Sequence, residues 1–182
     1  MTLPSLTEEE VISATKSWLE KCVIGLNLCP FANPVYIKGL IRFVVSKARS
    51  EEALLVDLRL ALEELAQASR EDFDTTLLIH PYVLSDFYDY NDFLNPAEEA
   101  LTRLALEGVL QIASFHPNYL FAGRSEKDMS NYTNRSPYPM LHLLREDSID
   151  EALESYPNTD EIFKRNIKTM RKLGLEGWKA LK

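Results

Sequence analysis

The stretch LIRFVVSKARSEEALLVDLRLALEELAQASREDFDTTLLIH, residues 40 to 80, decides the fold. It opens on an apolar run, Leu40 to Ser46, that reads as a strand. Ser50 with Glu51 and Glu52 then caps a helix, and Leu54, Leu55, Leu58, Leu62 and Leu65 recur at helical spacing, predicting a buried stripe that runs to about Ser69. Thr75 to His80 forms a second, nearly all-apolar strand stopped by Pro81. Strand, amphipathic helix and strand in succession make a crossover unit, and such crossovers join parallel strands.

Outward from this unit the pattern repeats. A helix is expected from about Pro96 to Glu107, ended by Gly108, and Val109 to His116 (VLQIASFH) is a third apolar strand stopped by Pro117. Met140 to Arg145 (MLHLLR) predicts a fourth strand returning antiparallel beside the third. Thr7-Glu8-Glu9-Glu10 is a capping box, and Val11, Thr15, Trp18, Cys22 and Leu26 carry a first helix to about Leu26. Asn27 to Gly39, with Pro30 and Pro34, reads as loop, and Ser148 to Ser155 and Asp160 to about Leu173 predict two closing helices. The expected fold is α/β. Its four-stranded mixed sheet has three parallel strands built by βαβαβ plus a fourth antiparallel strand, with helices packed on it and at both chain ends. No linker or repeat interrupts residues 1–182, which read as a single domain.

Composition narrows the function classes. A chain of 182 residues can bury roughly 70% of its unfolded surface without disulfides or metals as staples. Cys22 and Cys29 suit reduced thiols rather than a disulfide framework. The net charge of -8 is spread along the chain, and no Lys/Arg stripe interleaved with aromatics marks a nucleic-acid surface. No apolar run approaches the ~20 residues of a membrane span, and the acidic start is unlike a signal peptide. We therefore expect a cytoplasmic protein with neither nucleic acid nor membrane as partner, and with its oligomeric state open.

Parallel strands finish on one edge of a sheet, where open α/β folds bind ligands. Leu77-Leu78-Ile79-His80-Pro81 and Ala113-Ser114-Phe115-His116-Pro117 both end a strand with His-Pro, so His80 and His116 are expected at that edge. They are candidate catalytic acid/base groups, or simply imidazoles bonded to loop carbonyls. His142 in the fourth strand is either a satisfied core residue or a third member of the group. In the second case His80, His116 and His142 would hold a divalent transition metal and support metal-assisted hydrolysis or oxygen chemistry.

The connection Asn118 to Pro139 is long and aperiodic, which a compact fold rarely carries without a use. Arg124, Asn134, Arg135 and Tyr138 are its candidate substrate-binding residues, with Arg135 suited to an anionic group on a small molecule. The alternative for Arg135 is an ion pair with Asp128, Glu146 or Asp147 that pins the loop. Cys29, in the loop after the first helix, is a candidate nucleophile or soft metal ligand, and Cys29-Pro30 also matches an axial haem dipeptide; a plain buried thiol is the alternative. Cys22 lies on the apolar stripe. Asp86, Asp89 and Asp92, three apart, could hold a hard cation but lack the calcium-loop glycine; alternating with Phe87, Tyr88, Tyr90 and Phe93, they read rather as a solvated helical turn with its aromatics inward, in a segment that leaves the candidate edge. No Gly-x-Ser-x-Gly elbow, Walker loop, Gly-x-Gly-x-x-Gly turn, His-Glu-x-x-His or paired Cys-x-x-Cys occurs.

Gly-Leu-Asn-Leu-Cys-Pro-Phe-Ala at 25 to 32, Phe-His-Pro at 115 to 117 and Asn-Arg-Ser-Pro-Tyr-Pro-Met-Leu-His-Leu-Leu-Arg-Glu at 134 to 146 together resemble a mainly bacterial family catalogued as a domain of unknown function. The likeness spans essentially the whole chain. It implies that these three segments are the family's hallmarks, which fits Cys29, His116, Asn134, Arg135 and His142 as site residues and assigns them no roles. The leading expectation is a small-molecule enzyme or ligand-binding protein with a His/Arg/Cys site at the carboxyl edge of the sheet. As an enzyme it would be metal-assisted, a Cys/His hydrolase or an oxygen-chemistry catalyst. The alternative is a non-catalytic interaction or regulatory module that uses the 118–139 loop.

Overall fold

Four strands pair in the order β1-β2-β4-β3, where β1 is Ile41–Val45, β2 Thr75–Ile79, β3 Leu110–Phe115 and β4 Met140–Arg145. This computed structural model describes residues 6–156 and 158–181. The first two strands are parallel, and β4 lies between β2 and β3, antiparallel to both. The mixed α/β sheet expected from the sequence is present, with one correction. The second and third strands are not neighbours.

Burial explains the exchange. Met140, Leu141 and Leu143 are fully buried, so β4 is apolar toward both faces and belongs in the sheet interior. β3 is buried only at Leu110 and half-buried beyond it, which suits an edge. Because β2 and β3 each oppose β4, they still run in the same direction. His80 and His116 therefore leave on one edge, where His80 N–H donates to the Pro139 carbonyl at 3.0 Å and His116 N–H to that of Asn134 at 3.2 Å.

Helices cover the two faces. Glu51–Gln67 and Phe87–Arg103 (called α3 and α4, after α1 at Glu8–Trp18 and α2 at Ala32–Ile37) pack on one face around Leu54, Leu58, Leu62, Leu78, Tyr90, Phe93, Leu141 and Leu143. The other face carries α1, the turn that follows it, and α6 at Thr159–Lys179, around Trp18, Leu19, Leu77, Ile79, Met140, Met170 and Trp178. Each fully buried leucine stabilises the fold by about 1.5–3 kcal/mol relative to exposure. A shorter helix, α5, spans Glu146–Glu154 directly after β4.

Several boundaries depart from the sequence reading. The expected single helix from Thr7 to Leu26 is α-helical only to Trp18 and π-helical over Leu19–Ile24. Asn27 to Gly39 is not all loop, since Ala32–Ile37 is helical with Pro34 in its first turn, where no amide hydrogen is needed. The helix expected from Pro96 begins at Phe87 instead, because Asp86 caps it by accepting from the amides of Tyr88 and Asp89, and Pro96 lies inside it. Asp89 and Asp92 thus belong to a helical face with Tyr90 and Phe93 inward, as their alternation suggests. The last helix continues past Leu173 with a break at Gly174, whose φ of 66° lies in the left-handed region.

Candidate functional site

His80 and His116 stand on the α3/α4 face with the Tyr90 ring between them, at centroid distances of 5.8 and 5.0 Å. His116 is fully engaged. Its Nδ1 accepts from the Asn118 amide at 3.0 Å, so Nε2 carries the proton and donates to the Leu84 carbonyl at 3.0 Å. His80 Nδ1 donates to the Val83 carbonyl at 3.1 Å, which leaves Nε2 as an acceptor, buried and without a partner among the described residues. Burial pushes the His80 imidazole down to about 4 and the His116 imidazole down as well. Both rings are neutral, and their bonds hold the loops that leave the strand ends.

His142 does not join them. Alternation along β4 places Leu141 and Leu143 on the α3/α4 face and His142 on the other, where it approaches the Phe115 ring at 6.3 Å. Its Nε2 lies 2.6 Å from the Thr75 hydroxyl, which itself donates to the Leu143 carbonyl at 2.7 Å. Burial lowers this imidazole to about 4 also. The three-histidine metal site anticipated from the sequence is therefore not formed, because the pleat separates its members. Among the described residues no group of three or more His, Cys, Asp or Glu is placed to hold a metal ion.

A cavity of about 250 Å³ opens instead on the α1/α6 face. Its apolar wall is Val23, Leu28, Phe115, Phe121 and Phe163, and its polar groups are Cys29, Thr133, Asn134 and Asn166. No charged side chain and no histidine is among them. The π turn brings Val23 inward, and the chain then folds through Leu28 to Cys29, whose carbonyl accepts from the Ala32 amide at 3.2 Å. Two consecutive residues of α6 clamp this turn, Arg165 donating to the Asn27 carbonyl at 2.7 Å and Asn166 Nδ2 to that of Leu28 at 2.6 Å. Asn166 Oδ1 is left without a partner among the described residues. Burial raises the Cys29 thiol above its ordinary pKa, against smaller opposing effects of the Phe31 and Ala32 amides. At neutral pH this sulfur is a thiol.

Across the cavity, Asn134 Oδ1 accepts from the Thr133 hydroxyl at 3.0 Å and its Nδ2 donates to the Ser114 carbonyl at 3.2 Å. Both residues end a 3₁₀ turn, Met129–Asn134, capped by Asp128, which accepts from the Ser130 amide. That amide holds the Asp128 carboxyl below its usual range, with Arg171 and Arg124 adding to it. Arg124 pairs with Asp128 at 3.6 Å, and Arg171 from α6 reaches the same carboxylate at 3.5 Å.

Arg135 is not part of this cavity wall. Its Nε and Nη2 donate to the carbonyls of Tyr119 and Glu126 at 3.3 and 3.2 Å, and its guanidinium lies 4.0 Å from the Tyr132 ring centroid. The ion pair with Asp128, Glu146 or Asp147 that the sequence offers as an alternative is not made among the described residues, and backbone carbonyls hold Arg135 instead. Tyr138 packs in the α1/α6 core with its phenol raised by burial, outside the cavity wall. Of the sequence candidates, then, the fold brings Cys29 and Asn134 to this cavity, holds His80 and His116 together around Tyr90 on the opposite face, and places Arg124, Arg135, Tyr138 and His142 outside the cavity wall. It adds Thr133, Phe121, Phe163 and Asn166. Thr133 and Phe121 belong to the aperiodic loop already singled out, whereas Asn166 and Phe163 sit in an ordinary amphipathic helix and gave no signal. A larger hollow of about 690 Å³ along α1 is an open depression edged by Glu8, Glu9, Lys16 and Glu20, with no converging groups.

Fold and cavity define a mixed α/β protein with a small, uncharged, partly aromatic pocket under one sheet edge. Residues 10–180 match the model of a family described as protein of unknown function (DUF1415), and the chain belongs to that family. No curated protein and no solved structure matches the chain. No helix among the described residues is long and apolar enough to cross a membrane.

Proposed function

We propose that this protein binds a small neutral molecule, about one ring in size with a short polar substituent, in the cavity between Cys29 and Asn134. The observation that carries the proposal is the make-up of the cavity wall. Three phenylalanines and two aliphatic residues supply apolar contact, while Thr133, Asn134 and the Cys29 thiol supply uncharged polar contact. A volume of about 250 Å³ falls below the roughly 300–1,000 Å³ usual for drug-sized ligands. It does not admit a porphyrin, which weighs against a haem role for Cys29. An anionic ligand, suggested by Arg135 in the sequence, would meet no positive charge there and would lose its hydration uncompensated.

The same wall bears on catalysis. A thiol raised by burial, with no histidine or lysine beside it in the cavity, is not activated for nucleophilic attack. Binding, with Cys29 as a soft neutral contact, is the reading these groups support. The interaction-module alternative has less support, because the 118–139 loop already spends its donors on itself and on the Ser114 carbonyl of β3.

The test is a pair of near-isosteric probes. Benzamide titrated into isotopically labelled protein is expected to shift the resonances of Cys29, Thr133, Asn134 and Phe121, while benzoate leaves them in place. No shift with either probe, or a stronger response to benzoate, would refute the proposal.

A further inference from the structure

We infer that Phe163 is the doorway residue of this cavity and sets the size of molecule that reaches Cys29, an inference that rests on the ligand-binding reading above. Phe163 is 51% exposed and yet belongs to the cavity wall, so its ring lies where the cavity meets solvent. The opposite wall is closed, with Val23 and Leu28 buried in the α1/α6 core. The ring leans edge-on toward Phe121 at a centroid distance of 6.5 Å and an interplanar angle of 84°.

The two rings are held differently. Phe121 is fixed, its amide donating to Asn131 Oδ1 at 3.0 Å and its ring resting on Tyr119 at 5.0 Å. Phe163 projects from the first turns of α6, and Phe121 is the one aromatic ring in contact with it among the described residues. Half exposed, its side chain gives up its edge contact with Phe121 when it changes rotamer. Below it, the Asn166 and Arg165 bonds to the Leu28 and Asn27 carbonyls tie the helix to the Cys29 turn, so the frame stays while the ring moves. An exposed phenylalanine here serves no core, since α6 packs into the core through Met170, Leu173 and Trp178. Its placement is accounted for by admission: flat, ring-sized molecules pass beside Phe121 and larger ones are turned away.

The experiment measures the rate at which Cys29 is alkylated by N-ethylmaleimide and by the much larger N-(1-pyrenyl)maleimide, with peptide mapping to separate Cys29 from Cys22. Wild-type protein is expected to favour the small reagent strongly. Phe163→Ala is expected to raise the rate with the large reagent about tenfold and that with the small one by much less, so the ratio collapses, with Phe163→Leu intermediate. An unchanged ratio in Phe163→Ala, with its thermal transition unaltered, overturns the doorway. If Phe163→Ala lowers the thermal transition, Phe163→Leu decides by the same ratio. A parallel arm with saturating benzamide separates the two readings. Benzamide that slows wild-type labelling while the ratio stays fixed defeats the doorway alone, and benzamide without effect defeats the ligand-binding reading and the doorway together.

Discussion

Tyr90 donates its hydroxyl proton to the carbonyl oxygen of Met140 at 2.8 Å, and the same hydroxyl accepts from the Phe115 amide at 3.0 Å. Met140 and Phe115 are register partners at the end of the β3–β4 ladder. The last rung of that ladder is thus made through a side chain of α4, wedged between His80 and His116. The arrangement predicts that Tyr90→Phe lowers stability by about 1–3 kcal/mol, since two buried backbone groups lose their partner while the ring volume stays. Urea denaturation measures it; a change under a few tenths of a kcal/mol would mean that the strands close up and pair directly.

The buried imidazoles make stability depend on pH. His80 and His142 are both held down to about 4 in the folded protein, against about 6.5 in an unfolded chain. Between those values the unfolded state binds more protons, so their contribution is full above about pH 6.5 and is lost as pH falls toward 4. The loss reaches roughly 3 kcal/mol for each imidazole at the low end of the window. Denaturant midpoints between about pH 7 and pH 4.5 should fall, and His80→Asn should flatten the slope. A slope unchanged in His80→Asn would contradict the assignment.

Arg135 separates an anion-binding role from a bracing role. Replacement by lysine keeps the charge and loses the fork that spans the Tyr119 and Glu126 carbonyls. Both Arg135→Lys and Arg135→Ala are expected to cost about 1–2 kcal/mol and to speed proteolysis between Asn118 and Pro139. Lysine that preserved full stability and loop protection would show that charge alone matters there.

Gly25 opens the segment that carries Cys29, and its reason is steric. A Cβ there would stand 2.4 Å from the Lys21 carbonyl oxygen, at the close of the π turn. Gly25→Ala is expected to destabilise by about 1–3 kcal/mol and, by rewinding the turn, to change the alkylation rate at Cys29. An unchanged rate together with unchanged stability would show that the turn absorbs the methyl group.

How much of this was legible in the chain follows from the range of each interaction. Strand β4 was readable to the residue and α3 nearly so, because apolar runs and helical stripes are local patterns. The start of α4 was misplaced because Pro96 is a strong start signal, and the capping by Asp86 outweighed it. Cys29 and Asn134 were found as polar groups in segments without periodicity. Their partners Asn166 and Phe163 were not, since nothing in an amphipathic helix distinguishes a residue facing a cavity from one facing a core.

By itself, then, the sequence determined the four strands and most of the helices, the shared carboxyl edge of His80 and His116, and the family to which residues 10–180 belong. Only the tertiary structure decided the strand order and the site. A strand buried on both faces satisfies its side chains only inside the sheet, so β4 entered between β2 and β3. The alternation that buries Leu141 and Leu143 then turned His142 to the opposite face from His80 and His116. The same folding brought α6 against the Cys29 turn, and the cavity exists only where those distant segments meet.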